Sequence, residues 1–555
     1  MRIHSAIDMF DEPLDFQARD DRCNGMTGRK TEKQPELQQW LGMVESLRDC
    51  LDWGDDEMPI EIIRTHISVV LLGKRHALKL KKPVDLGFLD YTTLEKRREA
   101  CQAEVELNSR LCAGYYDCVQ PISRVDGKLR FSDQGPVVDY GVMMKRLPTD
   151  QMLDRLLARG EVTEVIIQRV ADRISRFHRA ARRGPEVEAL GSPEVIAGNW
   201  QENFDQTAPY IGRTITAEAF ESIRQWVNRW LDEHQDLLRT RVNEGRICDG
   251  HGDIRAESIC VTDGLCIFDC IEFNERFRYS DIASEAAFLA MDLDARGRPD
   301  LGYYFSEQYA LKSADPGLYT LLPFYRCYRA YVRGKVQSFR LDETELTALE
   351  REVVALRARR YFDLAARYAS ALRRPTVIAV TGLTGSGKTS IARAIGGELG
   401  LRVVSSDAVR KSLFQITERH EYGAGPYSAD ANRLTYQTMV ERSRELLIQD
   451  GGVVLDATFM RQAYRASARE MALKAGAQWR VIECQLTPEV GRDRLERRAK
   501  LQEGLSDATW ETYVRQQPEF EPFEDRDSPR LELDTNADLA VVAHRATDWL
   551  RDWNR

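Results

Sequence analysis

The stretch TVIAVTGLTGSGKTS, Thr376–Ser390, decides the architecture of the C-terminal third of this 555-residue chain. An apolar, β-branched run enters Gly382-Leu-Thr-Gly-Ser-Gly387-Lys388-Thr389, the pattern GxxxxGK[ST], and IARAIGGEL then continues at helical spacing. Strand, glycine-rich loop and helix in that order form a cradle for phosphates. Gly382, Thr384, Gly385, Ser386 and Gly387 can turn backbone N–H groups inward around a polyphosphate. The helix that starts at Lys388, Thr389 and Ser390 adds its positive end. In this pattern Lys388 reaches the β- and γ-phosphates and Thr389 ligates Mg²⁺, so the expected cofactors are ATP and Mg²⁺.

Downstream, strand patterns at Arg402–Ser405, Val453–Asp456 and Arg480–Gln485 alternate with helical patterns at Thr389–Leu399 and Arg433–Gln449. This alternation predicts an α/β P-loop NTPase domain with a mainly parallel sheet. Ligands of such sheets lie off the carboxyl ends of the strands. Asp407, in SSDAVRK, is therefore placed to take a proton from an attacking hydroxyl, or else to cap a helix. Arg410, one turn later, could hold an anionic acceptor, and Asp456 ends the third strand where a metal would sit. Arg492, Arg494, Arg497 and Arg498 share one helical stretch. They read as a solvated basic face or as a lid over the transferring phosphoryl group, with Arg497 and Arg498 as its candidates.

The segment from Thr376 to Arg555 resembles the P-loop kinases related to zeta toxins and polynucleotide 5′-kinases, through GLTGSGKTS, SSDAVRK, VVLDATF and ERR. The resemblance implies that Asp407 activates the acceptor and that Arg410 binds an acceptor phosphate. The base-specificity motif NKxD of GTPases is absent.

Upstream, Asp342-Glu343-Thr344-Glu345 has a capping-box pattern and opens a helical stretch to about Leu372, which Arg373-Arg374-Pro375 ends. The domain boundary is placed there. It separates a mobile tail over residues 1–35 and a domain over 36–372 from the P-loop domain over 373–555.

The middle domain holds a second constellation. Asp249-Gly250-His251-Gly252-Asp253-Ile254 is followed by Ile259-Cys-Val, an Asp263-Gly264 turn and Ile267-Phe268-Asp269. A hairpin over this stretch would set Asp253 beside Asp269, one to take a hydroxyl proton and one to hold Mg²⁺. Lys79 lies on a strand pattern within Ile60–Val84, among Lys74, Lys81 and Lys82. Glu104, with Glu106 close by, lies on the helical stretch Thr92–Leu111 and could pair with Lys79 over the α- and β-phosphates.

Through HALKLKKP, EVELN, VMMKRLP, HGDI and IFDCIEF, residues 36–370 resemble the aminoglycoside-phosphotransferase branch of the protein-kinase fold. The resemblance implies an α+β bilobal protein-kinase-like domain with VMMKRLP as its hinge. The whole order resembles bacterial bifunctional aminoglycoside phosphotransferase/ATP-binding proteins. Two positions depart from the family pattern. Ser258 stands where the family has a metal-binding Asn, and Arg255 replaces the usual His or Lys. The expectation is a site that binds MgATP through Asp269 and Lys79 but transfers phosphate slowly.

Composition narrows the classes. The chain is 43% hydrophobic and 30% charged, with net charge −9, so no global basic field points to DNA or an anionic membrane. No apolar run nears the roughly 18 residues of a membrane span, and the acidic N-terminus has no signal-peptide pattern. Eleven cysteines without CxxC pairs predict reduced thiols in the cytoplasm, with no disulfide framework and no zinc. The expected protein is a cytoplasmic kinase with two nucleotide sites. Its acceptor would be a hydroxyl on a small molecule, a nucleotide or a nucleic-acid end. The alternative is an N-terminal sensor domain that regulates the P-loop domain.

Overall fold

The computed structural model describes residues 34–50, 60–65, 67–87, 89–343, 346–370, 372, 374–416, 423–501, 509–524, 527 and 529–553. The expected tail over residues 1–35 falls outside them up to residue 33, and a helix begins at Gln34. Two compact units emerge, each discontinuous in sequence. The first takes residues up to Glu161 with Ala180–Leu190 and Ile247–Ser280, and the second takes Val162–Arg179, Gly191–Arg246 and Asp281–Arg555.

The first unit is built on six strands: β1 (Glu61–Arg64), β2 (Ser68–Leu72), β3 (His76–Lys81), β4 (Tyr116–Val125), β5 (Lys128–Phe131) and β6 (Val137–Lys145). They form one antiparallel sheet in the order β1-β2-β3-β6-β4-β5. Side chains alternate faces along a strand, and β3 uses both faces differently. Leu78 and Leu80 enter the core that Trp40, Val44 and Leu47 of the helix Gln34–Cys50 share with Val69, Leu71, Ile122 and Leu129. Lys79 and Lys81 therefore share the opposite face. The helix Leu94–Ser109, N-capped by Thr93, carries Glu104.

The segment Ile247–Ser280 adds β7 (Ile247–Asp249), β8 (Ile259–Cys260), β9 (Cys266–Ile267) and β10 (Tyr279–Asp281). β8 and β9 form the expected hairpin, with Ile259 opposite Ile267. The hairpin also carries Cys266 to Cys112, and the two are joined in a disulfide with Cα atoms 4.4 Å apart. This corrects the expectation of thiols alone: the bonded cysteines lie 154 residues apart, so only the tertiary fold brings them together.

In the second unit, β11 (Thr376–Thr381), β12 (Val403–Ser405), β13 (Gly452–Asp456), β14 (Gln478–Gln485) and β15 (Arg530–Asp534) form a wholly parallel sheet. The order is β12-β13-β11-β14-β15, so the phosphate-loop strand lies beside the strand that ends in Asp456. Every residue of β11 is buried. Val377 and Ala379 join a core on one face and Ile378 and Val380 a core on the other, as expected of a parallel sheet covered on both sides. β15 was not legible among the sequence patterns.

The same unit contains the helices Ile282–Ala295, Pro299–Ser313, Leu318–Arg340 and Ala348–Tyr368. The last begins six residues after the expected Asp342 start, because Thr347 and Glu350 form the capping box. These helices grip the one that follows the phosphate loop, Lys388–Leu399. Arg326 Nη1 donates to Gly397 O at 2.9 Å, and Val403 N donates to Tyr303 Oη at 2.8 Å.

Candidate active sites

The phosphate loop closes where glycine is required. Gly382, Gly385 and Gly387 take φ of 146°, 77° and 79°. A Cβ on Gly382 would stand 2.6 Å from Cys484 O and 2.7 Å from Ser386 Oγ. Thr389 Oγ1 donates to Asp456 Oδ2 at 2.9 Å. Burial pushes the Asp456 carboxyl above the usual carboxylate range, and nearby Asp407 pushes the same way. Lys388, half-buried beside them, makes no close ion pair among the described residues, but its charge draws the Asp456 carboxyl downward against burial.

Asp407 lies in the first turn of the helix Ser406–Phe414. The N-cap there is Ser405, so Asp407 is not the cap. Its carboxylate has no hydrogen-bond or ion-pair partner among the described residues. Arg410 is buried, and its Nη1 donates to Pro426 O and Asn432 Oδ1 at 2.8 Å each, with its guanidinium over the Tyr427 ring. Its Nε makes no hydrogen bond among the described residues.

On the helix Pro488–Leu501, Arg494 lies against the loop, while Arg497 is exposed and the Arg498 side chain falls outside the described residues. Leu495 faces Gly385, and Gln516 Oε1 accepts from Thr384 N at 3.1 Å. Arg494 and Leu495 precede the expected pair by a helical turn. A row of arginines alone cannot reveal which face meets the loop.

In the first unit, Lys79 Nζ lies 2.8 Å from both Glu104 Oε1 and Asp269 Oδ1. Asp269 sits at φ 63°, an uncommon left-handed conformation that Asp tolerates better than bulkier residues. Lys79 holds the Asp269 carboxyl well below the usual carboxylate range. Burial alone would lower the Lys79 ammonium, but Asp269 and Glu104 keep it well above its ordinary value.

Lys81, read from sequence as one of several strand lysines, is completely buried and ion-paired with both Glu104 and Glu272. Tyr91 Oη donates to Glu272 Oε1 at 2.7 Å. The period-two spacing of Lys79 and Lys81 was the available signal for a shared face. The loop Asp249–Ile254 is tied to the strand end, with His251 Nε2 3.0 Å from Phe268 O and Ile271 N donating to His251 O.

Arg255 reaches back and grips both carboxylate oxygens of Asp253 at 2.8 Å each. Ser258 is buried, and its Oγ accepts from Arg255 N at 3.0 Å and lies 2.9 Å from Arg255 O. Its hydroxyl is thus hydrogen-bonded to the backbone of its own loop.

Sheet and loop together define the C-terminal part of the second unit as a P-loop α/β structure, and residues 377–523 match the family described as the AAA domain. The chain belongs to the same family as an uncharacterized protein of Mycobacterium tuberculosis and one of Mycobacterium bovis. Each is 34% identical to it over 463 residues, covering 82% of this chain and 89% of the relative. Over about a third of its length the chain is also similar to solved structures. These include a gluconokinase from Sinorhizobium meliloti 1021 (21% identity, 33% of this chain and 95% of that one, TM-score 0.25). Another is the Mycobacterium tuberculosis APS kinase in complex with AMPPNP and APS (22% identity, 32% and 98%, TM-score 0.23). Among the described residues, no helix is long and apolar enough to cross a membrane.

Proposed function

We propose that the second unit is an ATP-dependent phosphotransferase acting on a hydroxyl of a small molecule, nucleotide or nucleic-acid end. The observation that carries this reading is the cluster at the loop. Thr389 is hydrogen-bonded to buried Asp456, beside Lys388 and Asp407, neither of which makes a side-chain hydrogen bond or close ion pair among the described residues. The glycine cradle fits a polyphosphate, since a side chain at Gly382 would collide with backbone. Lys388 and the loop N–H groups would hold ATP, and Thr389 and Asp456 would hold Mg²⁺. ATP supplies the phosphoryl group, and Mg²⁺ offsets the charge of its phosphates.

Asp407 would take the proton of the acceptor hydroxyl, and Arg410, through its remaining N–H groups, would meet an anionic part of the acceptor. The test is an ADP-release screen of the full chain over sugars, nucleosides, aminoglycosides and RNA or DNA oligonucleotides, with Lys388→Ala as control. Acceptor-dependent turnover that survives Lys388→Ala would overturn the assignment.

A second reading concerns the first unit: a Mg²⁺-dependent nucleotide sensor with weak transfer. The Lys79–Glu104–Asp269 cluster supports binding, and the Arg255 grip on Asp253 disfavours its use as a base. Nucleotide binding to full-length Lys388→Ala, with and without Asp269→Ala, tests it. Binding that does not change with Asp269→Ala would count against a nucleotide site in this unit.

A further inference from the structure

Resting on the phosphate-loop reading, we propose that Thr535 is a positioning residue: it aims the backbone of the loop at the phosphates of a nucleoside di- or triphosphate. Thr535 follows β15 directly, far from the loop in sequence, and is 4% exposed. Its N–H donates to Gln485 O at 2.9 Å. Its hydroxyl lies 2.8 Å from Ser386 O and 3.0 Å from Gln485 O, so one proton serves two carbonyls at the base of the loop.

In a trans peptide the C=O and N–H point to opposite sides. With Ser386 O held by Thr535, the N–H of the same peptide, that of Gly387, points away from Thr535. Gly387 N–H has no hydrogen-bond partner among the described residues.

Arg494 completes the brace. Its guanidinium donates to Thr535 O and lies 3.4 Å from Thr535 Oγ1. It stands 3.2 Å from where a Gly387 Cβ would be, and burial lowers its pKa. The arginine thus holds Thr535, and Thr535 holds the loop peptide. Removing the hydroxyl leaves the Ser386 carbonyl short of a donor, while Gln485 O keeps the Thr535 N–H, and frees the Ser386–Gly387 peptide to rotate.

The experiment measures MgADP binding to the full chain by calorimetry, with Lys388→Ala defining the component due to the phosphate loop. Thr535→Val is expected to weaken that component about tenfold, and Thr535→Ala, which avoids crowding if the valine variant fails to fold, by a similar factor. Thr535→Ser is expected to stay within about threefold of the native chain. The ³¹P resonance of the ADP β-phosphate should move in the valine or alanine variant and not in the serine variant. A Thr535→Ala variant that binds like the native chain, or a serine variant as weak as alanine, overturns the role of Thr535. If Lys388→Ala itself binds MgADP like the native chain, the phosphate-loop reading falls and the proposal with it.

Discussion

Replacing Lys81 with methionine tests the buried lattice of charges under β3. The Lys81 side chain is 0% exposed, and its partners Glu104 and Glu272 are 0% and 4% exposed. Methionine keeps the volume of the stem and deletes the ammonium. Breaking a buried pair by removing one partner costs about 3–5 kcal/mol, because the remaining charge is left uncompensated. Glu104 would keep Lys79 at 2.8 Å, and Glu272 would keep the Tyr91 hydroxyl at 2.7 Å. These remaining partners place the expected loss near the lower bound, about 3 kcal/mol. A domain with a total stability of about 5–15 kcal/mol would feel that strongly. For a unit of this size the melting temperature should drop by about 6–12 °C.

The sign with pH follows from Glu104, whose carboxyl Lys79 and Lys81 hold below its ordinary value against the effect of burial. A depressed carboxyl stabilises the fold above its unfolded value and loses that contribution as pH falls through the folded one. The acid-side loss should therefore be smaller in Lys81→Met. Thermal and urea unfolding of the full chain, followed by near-ultraviolet circular dichroism, reads both effects. Exposed Lys74→Met serves as the control and should change stability by less than about 0.5 kcal/mol. A Lys81→Met variant within about 1 kcal/mol of the native chain would refute the reasoning.

Asp407→Asn should lower turnover on the true acceptor by about 10²–10⁴-fold while MgADP affinity holds, and unchanged turnover would remove Asp407 from proton transfer. Burial pushes Asp294 up to about 6, so between about pH 4 and pH 6 the unfolded chain ionises first and the fold loses stability. Relative to the native chain, Asp294→Asn should therefore gain about 2–3 kcal/mol between pH 4 and pH 8 in urea titrations. A fragment beginning at Asp281 keeps Arg326 on Gly397 O and Tyr303 on Val403 N, and should melt well above one beginning at Arg374. Equal melting temperatures would show that these contacts contribute little. Peptide mapping under non-reducing conditions should recover a Cys112–Cys266 linked pair, and recovery of the two as free thiols would contradict the bond.

Much of the second unit was legible because its signals are local. A GxxxxGK[ST] run between an apolar strand and a helix specifies the loop, and the strand patterns through Gln485 correspond to β11–β14. β15 and Thr535 were not legible. RLELD is short and partly exposed, and Thr535 matters only through carbonyls 149 and 50 residues away. The arginine row on Pro488–Leu501 indicated a charged helix, but its rotation is set by Leu495 packing at Gly385, which brings Arg494 to the loop.

In the first unit the residue types and the β8–β9 hairpin were readable from turn chemistry and alternation. Lys79, Glu104 and Asp269 were named from sequence, and the fold joins them at 2.8 Å. The state of each was decided by tertiary structure alone. Lys81 is buried because β3 turns its second polar position toward the helix that carries Glu104, and Asp253 is held because Arg255, two residues on, folds back across it. Sequence by itself determined which groups are present and which local geometry each segment adopts, since those follow from backbone propensity and period. Only the tertiary structure decided which charges lose their water and which partner each then takes. Burial and pairing depend on residues brought together from distant parts of the chain.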